Sequence, residues 1–297
     1  MNEILSSLLI LLGYIIVGYS INKFKIVDAV SDKYFSNFLL KVTLPASIIA
    51  SAIGIETDNK LSALMVLGIA TFIFILIPLL STLYVKFFKL DKTYKMMFTY
   101  PNLGFMGMPI IATLYGPLGM FYASLFMIVF NFSIFSYGLS IVQNDAKFDL
   151  KKLLNPGIIS ALIALVIFAF NLSVPDTITV FLNKVGSITS PLAMITLGST
   201  LTYVQLRDVI KEKMLYVFAF FKLIGFPFIL WFILHFFITD PMILGVSVVL
   251  SSLPVASNVT MFCIIYDGNK ELSVKGTYLS TILSFITIPI YMILFAL

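Results

Sequence analysis

Charge is scarce in this sequence. Asp, Glu, Lys and Arg make up 11% of its 297 residues, against roughly a quarter in a soluble domain. A chain this poor in charge is not a pair of soluble domains. One cysteine, Cys263, excludes an intrachain disulfide, and one histidine, His235, excludes a His/Cys metal cluster with ligand spacing. No metal and no other cofactor is expected. The acids are not only few but peripheral: all fourteen lie in loops or at the ends of apolar runs. Gly-x-Ser-x-Gly, His-Glu-x-x-His and paired aspartates inside apolar segments are all missing, so an enzyme is not expected. No lipidation motif is present. The first apolar run lacks a basic region before it and leads to Lys23 and Lys25. It is expected to be a first membrane span and not a cleaved signal peptide.

What fills the sequence instead is apolar. Hydrophobic residues are 60% of the chain, aromatics 15%, and the mean hydropathy is +1.06. A bilayer-crossing helix needs about 20 apolar residues. Ten segments meet that length, near 4–21, 34–54, 61–85, 93–115, 119–142, 154–172, 177–202, 212–237, 242–266 and 273–296. The expectation is an all-α integral membrane protein with ten transmembrane helices embedded in a lipid bilayer. Of nineteen basic residues, fifteen fall in alternate loops and two in the others. Basic loops stay cytoplasmic, so both termini are expected outside the cytoplasm of a cell (plasma) membrane. The net charge of +5 is a topology signal and not a nucleic-acid footprint.

Five is an odd number of spans, so a second set of five runs in the opposite sense to the first. The chain therefore divides into a first repeat at 1–142, a cytoplasmic linker at 143–153 and a second, inverted repeat at 154–297. Landmarks match between the halves. Pro45 marks the second span and Pro191 the seventh. The fourth carries Pro101 and Asn102 within Tyr100-Pro101-Asn102-Leu103-Gly104-Phe105-Met106-Gly107-Met108-Pro109, and the ninth carries Pro254 and Asn258. Proline lacks an N–H and clashes with the preceding turn, so a helix at Pro101, Pro109 or Pro254 breaks or unwinds. Paired breaks in corresponding spans of two inverted halves point to a transporter's binding site.

These residues resemble a known family. Pro101 through Ile111, followed by Tyr115-Gly116, is similar to the fourth helix of auxin efflux carriers. Leu253 through Asn258, Leu279-Ser280-Thr281 and Ile288-Pro289 are similar to their ninth and tenth helices. Leu44-Pro45 resembles the second, Asn155-Pro156 the start of the sixth, and Lys222-Leu223 with Pro227 the eighth. The resemblance covers essentially the whole chain. The long central cytoplasmic loop of many plant PIN proteins is missing, so it resembles a compact, bacterial-type member. The resemblance implies two inverted five-helix repeats with crossing broken helices 4 and 9. It also implies a scaffold of spans 1, 2, 6 and 7, often a homodimer surface, and a transport domain of spans 3–5 and 8–10 that moves as an elevator. The substrate it implies is a small organic anion, auxin-like or malonate-like.

Five residues are candidates for contact with that anion. Asn102 and Asn258 stand where half-helices begin, beside N–H groups with partial positive charge. Each also suits a simple helix cap. Asn131 matches a polar position next to the family's site, or else bonds between helices. Lys41 and Lys222 lie about nine residues, or roughly 13 Å, from a helix end. A lysine there costs about 2.5–3.5 kcal/mol. Both suit pairing with helix C-terminal carbonyls, an anionic substrate or gating electrostatics, unless the stem snorkels to the surface. Pro45 and Pro191 free a carbonyl or only kink their helices. Without a buried acid in mid-span, proton coupling is disfavoured, and the membrane potential suffices to drive anion efflux: about 2.3 kcal/mol per charge at 100 mV. The alternatives are a sodium-coupled symporter and a ligand sensor that does not transport.

Overall fold

The computed structural model describes residues 2–55, 60–142, 155–203, 209, 212–266 and 268–294. The linker expected at 143–153 lies outside them, as do the loop charges Glu56, Asp58, Lys147, Lys151, Lys152, Arg207 and Lys211. The described residues are almost wholly helical. In order the helices are α1 (Asn2–Lys23), α2 (Ala29–Phe38), α3 (Leu44–Ala52), α4 (Lys60–Phe88), α5 (Lys92–Thr99), α6 (Met108–Ser133) and α7 (Leu139–Val142). The second half adds α8 (Pro156–Phe170), α9 (Asp176–Gly186), α10 (Thr189–Thr200), α11 (Lys213–Phe220), α12 (Phe226–His235), α13 (Pro241–Ser251), α14 (Ser257–Ile265) and α15 (Lys270–Leu294).

Helix ends follow local chemistry. Asp28 caps α2 by accepting the Ser31 N–H. That bond, with one from the Ser31 hydroxyl, holds the Asp28 carboxyl below the usual carboxylate range. Asp91, Asn155 and Asp240 cap α5, α8 and α13 in the same manner. π turns at Leu39–Thr43, Leu103–Gly107, Ile134–Gly138 and Phe221–Gly225 join neighbouring helices without ending the helical path. Pro45 follows the first of these turns as the second residue of α3, and Pro109 follows the second as the second residue of α6. Both therefore mark wide turns, and Pro109 does not break the helix. The break after α9 falls at Ser187–Ile188, just before Pro191 in α10.

Five helical stretches are long and apolar enough to cross a membrane: Ala29–Ala52, Lys60–Phe88, Leu103–Val142, Asp176–Tyr203 and Lys213–His235. Leu9–Lys23, Pro156–Phe170 and Pro241–Ser251 are shorter apolar helices. The ten expected segments map onto these unevenly because the prolines divide apolar length between shorter helices. Segment 93–115 becomes α5 and the start of α6, and segment 242–266 becomes α13 and α14. Within Leu103–Val142, Gly116 takes φ 63° and ψ −156° ahead of Pro117, so helical geometry is interrupted where a loop was expected.

The chain forms two compact units. One comprises 1–67, 104–128 and 154–203, and the other 68–103, 129–153 and 204–297. In the first unit α1 packs along α10, and α3 packs against α8 and α9. Glycines make the first contact possible. A Cβ on Gly18 would overlap the Ile195 carbonyl, and one on Gly198 would overlap the Ile15 carbonyl. The two backbones thus touch reciprocally, as small residues allow between membrane helices. Gly186 meets the Ser47 backbone in the same way. In the second unit the core is aromatic. Phe98 is fully buried, with ring centroids of Tyr84, Phe218 and Phe226 at 4.6, 4.8 and 5.2 Å. These rings hold α5 in place.

Gly198→Ala and Gly18→Ala are each expected to destabilise the protein by about 1–3 kcal/mol through overpacking, a fall in melting temperature of several degrees. Gly13→Ala, on the same helix with nothing within 4 Å of its Cβ position, is expected to leave melting unchanged. Thermal melts of the detergent-purified variants check this.

Candidate functional site

The site is built in the second unit, where two helices stop short. α5 ends at Thr99, and Tyr100 turns to an extended conformation with φ −111° and ψ 100°. α13 ends at Ser251, and the chain stays non-helical until α14 starts at Ser257. The residue pair Pro101 and Val255 forms an antiparallel bridge. Its flanking bonds run from the Asn102 N–H to the Pro254 carbonyl (2.8 Å) and from the Ala256 N–H to the Tyr100 carbonyl (3.0 Å). A lone break in hydrocarbon leaves backbone polar groups bare. Here each break answers part of the other's need. Both prolines contribute: Pro101 cannot donate, and Pro254 serves only as an acceptor.

Neighbouring helices satisfy more of the freed groups. Ser280 of α15 accepts the Val255 N–H at 3.1 Å and passes its own hydrogen to the Thr277 carbonyl, also at 3.1 Å. The Tyr100 hydroxyl lies 3.0 Å from the Ser133 carbonyl and 3.2 Å from the Ser133 hydroxyl, at the end of α6. Lys222, in the π turn of residues 221–225, donates from Nζ to the Phe98 carbonyl at 2.8 Å. Tyr291 donates to the Ile224 carbonyl of that same turn at 2.5 Å. The break itself is buried: Pro101, Pro254, Val255 and Ser280 are enclosed, and Asn102 is 3% exposed.

The candidates expected from sequence fall into two sets. Pro101, Asn102 and Pro254 meet directly in the bridge. Asn258 is the second residue of α14, half-buried, immediately beyond the bridge. Asn131 is buried on α6, two residues before Ser133, which Tyr100 contacts. Lys222 is 1% exposed and bound to the end of α5. Lys41, Pro45, Pro109 and Pro191 belong to the other unit, and Lys41 is exposed there. His235 is the last residue of α12, and its ring stacks on Trp231 at 5.2 Å.

Two contacts, Ser280–Val255 and Tyr100–Ser133, had no counterpart among the expectations, and for Lys222 a helix C-terminal carbonyl was expected but not which one. The Ser280 acceptor sits in a motif that was visible, Leu279-Ser280-Thr281, but nothing in a continuous helix says which serine faces a break 25 residues away. Tyr100–Ser133 and Lys222–Phe98 join residues 33 and 124 positions apart, and only folding brings them together.

Buried, mutually paired helix breaks in an apolar helical protein define the class: a multi-pass membrane transporter built around discontinuous helices. The sequence matches the family described as membrane transport protein over residues 3–148 and 140–292. The chain belongs to this family, that of the auxin efflux carriers and PIN-like proteins. Its members are transporters and not enzymes, and the chain is a membrane transporter. No curated protein matches the sequence.

Ser280→Ala is expected to leave the buried Val255 N–H without its acceptor. The cost is about 1–3 kcal/mol, read as a lower melting temperature and faster hydrogen exchange in the 252–256 segment. Unchanged exchange there would show that the Ser280 bond does not hold the break.

Proposed function

We propose that this protein is a secondary carrier of small carboxylates, which it exports down the membrane potential. The observation that carries the reading is the pairing of the two breaks at Pro101 and Val255 with asparagines on both sides. The start of α14 supports it further. Its N-cap residue is Ala256, which makes no side-chain capping bond because alanine has no acceptor. The Val259 N–H bonds back to the Ala256 carbonyl at 3.0 Å, and the N–H groups of Ser257 and Asn258 are left for a ligand, where the partial positive charge of the helix start favours an anion. Asn258 in the same turn adds amide donors. Asn102 supplies the matching amide from the other break, and Asn131 lines the site from α6.

The architecture we infer is ten spans in two inverted repeats, with both termini outside the cytoplasm of the plasma membrane. Transport is by an elevator motion. Spans 1, 2, 6 and 7 fall in one compact unit, and the paired breaks and spans 8 to 10 in the other, while spans 3 to 5 are divided between the two, with 61–67 and 104–128 in the first unit. In this scheme Lys222 positions the site. Its Nζ fastens the C-terminal carbonyl end of α5, where a coupling cation would otherwise sit. That favours potential-driven efflux over sodium symport.

Proteoliposomes loaded with labelled mono- or dicarboxylates test this. An inside-negative potassium diffusion potential is expected to speed efflux, with no requirement for sodium. Asn102→Ala and Asn258→Ala are each expected to lower flux about ten-fold, the loss of one charge-assisted bond of about 1.4 kcal/mol. Binding without flux would favour a sensor, and a strict sodium requirement would favour a symporter.

Lys222→Met is expected to reduce flux of mono- and dicarboxylates to a similar degree, because it loosens α5 and not a charge pair. A selective loss for dicarboxylates in the same assay would mean that Lys222 meets the substrate directly.

A further inference from the structure

The first unit contains a second polar cluster, far in sequence from the paired breaks. Asp32 lies in the first turn of α2 and is 4% exposed, a carboxylate buried at the end of a span. Ser199 donates to its Oδ2 at 2.6 Å and Tyr203 donates to the same oxygen at 2.5 Å. Asn22, in the last turn of α1, donates through Nδ2 to both hydroxyls, to Ser199 at 2.8 Å and to Tyr203 at 2.7 Å. Thr202 donates to the Asn22 Oδ1 at 2.6 Å. The Thr202 hydroxyl also lies 2.9 Å from the Ser199 carbonyl, and the Ser199 and Tyr203 hydroxyl hydrogens both point to Oδ2. Oδ1 is buried and has no hydrogen-bond partner among the described residues.

Oδ2 thus accepts two hydroxyls while Oδ1 meets no donor among the described residues, which leaves it open to a cation. No basic side chain compensates the charge among the described residues. The ion pairs there are Lys275–Glu212 and Lys275–Glu271, neither involving Asp32. Lys23, the nearest lysine on α1, stands over the Tyr19 ring at 5.5 Å. Two further features add negative potential. One is the C-terminal end of α1 at Lys23, and the other is the tightening of α10 into a 3-10 turn at Leu201–Tyr203, both beside the contact of Asn22 with Ser199. The carbonyl ends of helices are cation ligands in transporters.

We propose that Asp32, Asn22, Ser199, Thr202 and Tyr203 form a binding site for a monovalent alkali cation. The ligands are hard oxygens, as such cations prefer. The single carboxylate balances one positive charge. A divalent ion would draw on several acidic or imidazole ligands, and no group of three such residues is present among the described residues. Tyr203 is 48% exposed, which gives the ion a way in while Asp32 and Ser199 stay enclosed. The bound ion would tie α1, α2 and α10 together, so its effect is on the stability of this unit, separately from the paired breaks.

The test is thermal melting of the purified full chain in sodium chloride, potassium chloride and choline chloride at equal ionic strength. Sodium or potassium is expected to raise the melting temperature by about 3 °C over choline. Asp32→Asn is expected to abolish that difference. Thr202→Val keeps the carboxylate and removes one oxygen, so it is expected to raise the half-saturating cation concentration several-fold, and it serves should Asp32→Asn fail to fold. Asn258→Ala is expected to leave the cation effect intact. Equal melting of the unmodified protein in all three salts would overturn the proposal. So would an undiminished effect in Asp32→Asn or Thr202→Val, or loss of the effect in Asn258→Ala alone, which would move the ion to the paired breaks.

Discussion

A polypeptide that stops being helical inside an apolar environment must find hydrogen-bond partners for the backbone it exposes. The second unit of this protein is arranged around that requirement. Tyr100, Asn102, Pro254 and Ala256 meet it by pairing one break with the other. Ser280 of α15 and Lys222 add a partner each for Val255 and Phe98, and the Tyr100 side chain reaches Ser133 at the end of α6. Each of these groups is buried, so each missing bond would cost a full desolvation penalty and not merely a hydrogen bond. The aromatic packing of Phe98 against Tyr84, Phe218 and Phe226 serves the same end, because it fixes the height at which α5 stops. What the pairing leaves over, amide side chains and the uncapped start of α14, is what the proposed anion site is built on.

The first unit solves a different problem. Between apolar helices in lipid there is little hydrophobic gain from association, so close packing decides. Gly18 and Gly198 let α1 and α10 come into backbone contact. At the far end of that same seam, Asn22 and Ser199 meet above Asp32. The tight seam and the polar cluster are consecutive along one helix pair: the glycines set the approach of the backbones, and that approach lets short polar side chains reach across.

Much of the site was legible because proline and asparagine have few uses in an apolar segment. Pro101, Asn102, Pro254 and Asn258 stood out for that reason, and the structure joins the first three through one bridge. Pro109, equally conspicuous, turned out to begin a helix, because the π turn before it already accommodates the missing N–H. Lys222 was visible as a charge in mid-span, but its partner, a backbone carbonyl, has no signature in sequence. Asp32 was visible as an acid at a span end. Its burial was not, since that depends on α10 arriving beside α2.

Composition and pattern by themselves determined that this is a membrane protein, where its helices break and which polar residues the breaks carry. These are local properties, written by hydropathy and by the missing N–H of proline. That the two breaks meet was expected from the family resemblance, but only the tertiary structure decided which atoms bond between them, which carbonyl Lys222 holds, and that Ser280 and Asp32 matter at all. Those contacts join residues 25 to 171 positions apart, and a hydrogen bond between distant residues leaves no period or spacing in the chain.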